Sequence, residues 1–224
     1  MTKRLPILFF VAACLVNLAG RLWNPELAGI IKPSLMPLLA TAVLTSALER
    51  NINRKQLALL IAAELFGFMG DTFLLSGEFA FFAAGIGSFL IGHIFYVTLF
   101  GRHSLKGISP LGWILSLLLM GGVVYVLIRL LKIQGPLMAP MAIYAMMLMM
   151  LIFSTLLGLL RFRQKFTWTL LFLGALLFTF SDALIAAETF EVLDFELIQF
   201  VIMLTYLVAQ SLLAIGGLRL CTKR

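Results

Sequence analysis

Eight long apolar runs, separated by short polar clusters, fill the chain: Leu5 to Leu22, Pro33 to Leu48, Leu57 to Leu75, Phe79 to Phe100, Leu111 to Leu131, Leu137 to Leu160, Thr167 to Ala187 and Leu197 to Leu218. A helix needs about 20 apolar residues to cross the hydrocarbon core of a bilayer, and these runs approach or exceed that length. In lipid every backbone N–H and C=O must find its partner within the protein, so apolar runs of this size predict helices. The expected fold is therefore all-α, a polytopic membrane bundle of eight transmembrane helices forming a single domain over residues 1–224. The connections carry the charges, as in Glu49 to Gln56, Arg102 to Pro110, Arg161 to Lys165 and Glu188 to Glu196. Gly and Pro mark another turn at Gln134-Gly135-Pro136.

Orientation follows from the Lys and Arg residues. With the N-terminus inside, Lys3, Arg4, Arg50, Arg54, Lys55, Arg102, Lys106, Arg161, Arg163, Lys165, Arg219, Lys223 and Arg224 fall on the inner side, thirteen of seventeen basic residues. Arg21, Lys32, Arg129 and Lys132 fall outside, where Glu188, Glu191, Asp194 and Glu196 make the last loop acidic. The positive-inside rule thus places both termini in the cytosol, and the alternation supports an even count of spans.

Composition agrees: 62% of residues are hydrophobic and 12% charged, against about 45–50% and 25% in soluble domains. The net charge of +7 reflects cytosolic loops, and nucleic acid is excluded as a partner. Cys14 lies in the first run and Cys221 in the tail, so no disulfide framework is expected. Val11-Ala12-Ala13-Cys14 has the look of a lipoprotein cleavage site, but the apolar run continues to Leu22 and reads as an uncleaved helix. Compact loops without tails point to a bacterial inner membrane. No signal in the sequence sets an oligomeric state.

Three acidic residues lie inside the runs: Glu64, Asp71 and Asp182. A charged side chain at the bilayer centre costs about 2.5–3.5 kcal/mol on insertion scales, so such groups face the bundle interior and mark sites. Asp71 and Asp182 fall at matching depth in the outer third of the third and seventh helices. Two carboxyl groups that share a poorly hydrated pocket do not readily both ionise, which separates an acid from a base, provided the two helices touch. Glu64 precedes Asp71 by two helical turns on the same face, about 10 Å deeper. His93 lies at similar depth on the fourth helix, with Tyr96 on its face. Lys32-Pro33 is expected at the outer start of the second helix, where a proline suits the first turn and a lysine attracts a lipid phosphate. Tyr144, Tyr206 and Gln210 are candidate lining groups, the last two sharing a face. Asp71, Asp182 and His93 are a set that in principle binds a metal, but one buried histidine argues against zinc, and no metal or cofactor is expected. Gly70-Asp71, Leu74-Leu75 and Phe79 also align with Ser181-Asp182, Ile185-Ala186 and Phe190 at an offset of 111 residues, the spacing that two four-helix halves of like orientation would show.

The segments Gly70-Asp71-Thr72-Phe73-Leu74, Gly92-His93-Ile94-Phe95-Tyr96, Ala175 to Leu184, Lys32-Pro33 and Tyr206 to Gln210 resemble, in order and placement, the YhhN family of eight-helix membrane proteins. That family includes lysoplasmalogenases, which hydrolyse the vinyl ether bond of lysoplasmalogens to a fatty aldehyde and a glycerophospho-ethanolamine or glycerophospho-choline. The resemblance implies a lipid hydrolase with a lysophospholipid substrate drawn from membrane lipid, and it singles out Asp71, His93, Tyr96, Ser181 and Asp182, with Lys32 beside them. Glu64 has no counterpart in the family pattern. The chemistry fits two carboxyl groups: one protonates the vinyl β-carbon, and the other stabilises the oxocarbenium ion and activates water. The competing reading is a transporter that uses intramembrane carboxylates, although no matching pair of broken helices is visible in the two halves. A zinc-dependent ceramidase-like hydrolase would demand several intramembrane histidines.

Overall fold

The computed structural model describes residues 5–48 and 50–223. Lys3, Arg4, Glu49 and Arg224, which belong to the charge pattern above, lie outside the described residues. Eight α-helices follow one another among the described residues: α1 (Leu5–Trp23), α2 (Pro25–Ala47), α3 (Arg54–Phe73), α4 (Phe79–Ser104), α5 (Pro110–Leu130), α6 (Met138–Arg161), α7 (Lys165–Thr189) and α8 (Ile198–Cys221). A 3-10 turn at Gly135–Leu137 leads into α6. Each helix is long and apolar enough to span a membrane, and the chain is an integral membrane protein.

One boundary differs from the sequence reading in a way that matters. α2 begins at Pro25, not at Pro33, and Asn24 caps it by accepting from the Leu27 amide at 3.2 Å. The polar residues Glu26 and Lys32 interrupt the apolar signal in the first turns, which made Pro33 look like the helix start. Pro33 and Pro37 are instead interior. Membrane helices tolerate interior proline because neighbouring groups satisfy the freed carbonyls. Elsewhere the starts follow ordinary capping. Asn53 accepts from the Lys55 and Gln56 amides at 3.1 and 3.3 Å, and Ser109 accepts from Gly112 at 3.0 Å ahead of Pro110.

The most extensive seams join α7 to α8, α3 to α4 and α1 to α2, and α4 packs on α6 across the middle of the bundle. Lipid tails provide no hydrophobic drive to pair helices, so close van der Waals contact and interhelical hydrogen bonds must do it. Asn17 of α1 donates to the Ala28 carbonyl of α2 at 2.7 Å. Gly158 of α6 takes the face of Trp168 from α7, where a Cβ would lie 1.9 Å from the indole. α5 is different: only Met120 and Val124 of it are buried, and its main partner is α6. Most of its other residues are exposed on the outside of the bundle.

The connections α1–α2, α3–α4, α5–α6 and α7–α8 gather at one end. At the other end, basic side chains close helix termini. Arg161 donates to the Ser104 and Lys106 carbonyls at 2.9 and 2.8 Å, and Lys165 donates to that of Leu159 at 2.5 Å. Cations there satisfy orphan carbonyls and oppose the negative helix end. The Cys221–Lys223 tail pairs with residues 51–53 through Asn53 N to Cys221 O at 2.9 Å and Lys223 N to Asn51 O at 2.7 Å.

Candidate functional site

Four helices converge on Asp71, which is 2% exposed. From α2, the Lys32 ammonium lies 3.4 Å from its Oδ1. From α8, the Tyr206 hydroxyl donates to its Oδ2 at 2.7 Å. Gln210, one turn along α8, donates through Nε2 to the Tyr206 oxygen at 3.3 Å, and its Oε1 accepts from Tyr96 of α4 at 2.9 Å. Each donor in this series points the same way, from Tyr96 through Gln210 and Tyr206 to the carboxylate. Such a network, with its members paired, is well suited to hold a buried carboxylate in one orientation.

Asp182 has a separate partner: the Tyr144 hydroxyl of α6 donates to its Oδ2. The sequence reading made an acid–base pair conditional on contact between the third and seventh helices. Among the described residues α3 and α7 share no extensive seam; α2, α4 and α8 pack on α3, and α6 and α8 on α7. The two sites are linked instead through aromatic rings. Phe178 of α7 lies 5.4 Å from Tyr206 and 6.3 Å from Phe89 of α4, centroid to centroid.

His93 completes this aromatic wall, with its ring 4.6 Å from Phe178 and 5.5 Å from Tyr144. Its Nδ1 lies 2.6 Å from the Phe89 carbonyl. A carbonyl only accepts, so Nδ1 carries the proton and Nε2 keeps a lone pair, buried and without a partner in the protein.

Three further candidates are placed by the fold. Lys32 does not stand at a helix start. It sits in the third turn of α2, buried, with its ammonium held by Asp71. Ser181 does not reach either carboxylate; its hydroxyl donates to the Ile202 carbonyl at 3.0 Å and ties α7 to α8. Glu64 shares a helix face with Asp71 but stands outside the network, 0% exposed and with neither oxygen hydrogen-bonded. Among the described residues no three His, Cys, Asp or Glu side chains gather to hold a metal, so the set Asp71, Asp182 and His93 is not assembled as one.

A vestibule of about 560 Å³ opens at the end where α1 meets α2, lined by Arg21, Lys32, Glu188, Gln199 and Leu74 among others. Past Leu74, Phe82 and Ile185 it adjoins a narrow apolar crevice of about 30 Å³ that reaches Tyr144 and Asp182. A second crevice of about 60 Å³ continues from Tyr144 and Asp182 between α5, α6 and α7, past Leu127, Leu131 and Ala183. Arg21, Gln199 and Glu188 were not singled out from the sequence. They stand at helix ends, where charge is ordinary, and contact across 178 residues leaves no local trace. The crevice walls, Phe82, Phe89 and Met141, are likewise apolar residues in an apolar chain.

The half-chain offset gains a structural counterpart. Lys32 and Tyr144 stand on the second helix of each half, Asp71 and Asp182 on the third, and Tyr96 and Tyr206 on the fourth, at separations of 112, 111 and 110 residues. In each half the second helix supplies the polar partner of the carboxyl on the third.

An eight-helix bundle of this kind, with a buried and a half-buried aspartate beneath a polar vestibule, defines a polytopic membrane protein with an intramembrane polar site. The chain belongs to the YhhN family, whose model matches residues 27–217. Comparison with curated proteins and with solved structures found no match.

Proposed function

We propose that the protein is a lysoplasmalogenase-type hydrolase that cleaves the vinyl ether bond of a lysophospholipid to a fatty aldehyde and a glycerophospho-ethanolamine or glycerophospho-choline. The observation that carries this reading is that a polar vestibule adjoins an apolar crevice at Leu74, Phe82 and Ile185, and that Asp182 lines this crevice and the next one. A single-chain amphiphile has that profile, with its labile bond between head and tail. Membership of the YhhN family supports it.

The surroundings divide the labour of the two carboxyl groups. Asp71 already has an ammonium beside one oxygen and a hydroxyl donor on the other, so both of its oxygens are engaged by protein groups. Asp182 has the Tyr144 hydroxyl and apolar neighbours. Asp182 is accordingly the acid: its proton goes to the β-carbon of the vinyl ether, and the C=C electron pair becomes the new C–H bond. The oxocarbenium ion that results is met by the aromatic rings of Phe89 and Tyr144, which line the crevice with Asp182 and attract cations. Water adds to the α-carbon and gives its proton to a carboxylate, and the hemiacetal loses the glycerol alcohol to release the aldehyde. The polar end of the bundle faces the outer side and both termini face the cytoplasm, in a bacterial inner membrane, in keeping with the charge bias of the loops.

The test is aldehyde release from lysoplasmalogen by purified protein. Asp182→Asn and Asp71→Asn should each lower it by about a hundredfold or more, the scale of losing an acid–base group, with expression and thermal stability retained. Full activity in either variant would remove the mechanism. No aldehyde from the wild type, together with solute uptake into vesicles, would replace hydrolysis by transport.

A further inference from the structure

Three polar side chains at the vestibule mouth are not used by the chemistry above. Arg21 ends α1, Glu188 ends α7 and Gln199 begins α8. Arg21 donates through Nη1 to Gln199 Oε1 at 3.2 Å, and Gln199 donates through Nε2 to Glu188 Oε2 at 2.5 Å. One amide thus stands between a cation and an anion. Its oxygen faces the guanidinium and its N–H the carboxylate, which holds the two charges apart instead of letting them pair. All three line the same cavity. The Nε–H of Arg21 is buried and has no hydrogen-bond partner in the protein, an expensive state for a charged donor.

The arrangement is dipolar, and the ligand that complements it is dipolar too. We propose that Arg21, Gln199 and Glu188 form a subsite for a zwitterionic phosphoester head group, with the phosphate on the guanidinium of Arg21 where it lines the vestibule and the ammonium on Glu188. The assignment rests on the hydrolase reading for its substrate and adds the residues that select the head group. A guanidinium presents a planar fork of donors that suits a phosphate. Lys32, the other cation of the vestibule, already has Asp71 at 3.4 Å, which leaves Arg21 as the phosphate partner. A purely anionic head group would place its negative charge beside Glu188 without an ammonium to offset it. The neighbouring Glu191, Asp194 and Glu196 of the α7–α8 connection add a field that favours the amine end.

The experiment separates head-group binding from turnover. Binding of saturated alkyl-ether lysolipids, which have no vinyl bond to cleave, is measured on the purified wild type, Glu188→Gln and Arg21→Gln with phosphoethanolamine, phosphocholine and phosphoglycerol heads on one alkyl chain. The wild type should prefer the two zwitterions over phosphoglycerol by about tenfold, the scale of one charge-assisted hydrogen bond. Glu188→Gln should erase that preference while leaving phosphoglycerol binding unchanged or tighter, and Arg21→Gln should weaken all three. Aldehyde release from the matching vinyl ethers is followed in parallel. In Glu188→Gln the head-group effect should appear in KM, with kcat within about twofold. A preference that survives Glu188→Gln overturns the subsite even if aldehyde is released. A preference that Glu188→Gln erases, with no aldehyde from any substrate, keeps the subsite and overturns the hydrolase. Soluble glycerophosphoethanolamine should compete better than glycerol phosphate, which distinguishes recognition of the head from partition of the chain.

Discussion

Asp71 shows how a buried charge is made tolerable one contact at a time. The Tyr206 hydroxyl and the Lys32 ammonium occupy different oxygens of the carboxylate, so loss of either leaves the other. A hydrogen bond to a charged group is worth about 1.5–3 kcal/mol. Tyr206→Phe keeps the ring between Phe89 and Phe178 and removes only the donor, so aldehyde release should fall about tenfold or more with little change in thermal stability. Ser181 invites the opposite expectation. Its place beside Asp182 in sequence suggests chemistry, yet its hydroxyl is bonded to the backbone of α8. Interhelical hydrogen bonds in membranes average about 0.6 kcal/mol. Ser181→Ala should therefore retain most activity and lose a small amount of stability, measured by thermal denaturation in detergent. Adjacency in the chain identified Asp182, but only its surroundings separated it from its neighbour.

Among the helices, the distinction is between those that pack and those that face lipid. Gly158 marks the tightest point between α6 and α7, since Trp168 covers it and Phe162 stacks on the same indole at 5.4 Å. In an isolated helix Gly→Ala would stabilise by about 1 kcal/mol. Here the added methyl would overlap the ring, and overpacking a core costs about 1–3 kcal/mol. The second effect wins, so Gly158→Ala should lower the melting temperature in detergent, and because α6 carries Tyr144 it should lower activity as well. Periodicity located each of the eight helices to within a few residues except at the start of α2. There Glu26 and Lys32 weakened the apolar signal, and Lys32 is one of the residues that line the vestibule.

At the scale of the molecule, charge is sorted to the two ends. The connection between α7 and α8 is acidic, and the one between α4 and α5 is basic. Positive residues are retained in the cytosol during insertion, which predicts the sidedness. With Asp194→Cys, an impermeant maleimide should label intact cells, whereas Lys106→Cys should label only after permeabilisation. Cys14 lies within α1 and Cys221 is buried, so the background is low. Reversed labelling would place the vestibule on the cytosolic side and change the leaflet from which the substrate comes.

The sequence by itself determined what is set by solvent and by local geometry. Long apolar runs admit only helices in lipid, their number follows from their length, and carboxyl groups too costly to leave among lipid tails announce a site. It also carried the order of motifs that marks the family. The tertiary structure alone decided which of these groups meet. Asp71 is reached by Lys32 and by Tyr206 from elements 39 and 135 residues away, and Asp182 by Tyr144. Glu64, as buried as either aspartate, has no such partner. Every helix in this chain is apolar on most sides, so hydropathy does not say which face turns inward or toward which neighbour. That choice is made by close packing at glycines, by directed hydrogen bonds between helices and by the few charges that must be paired.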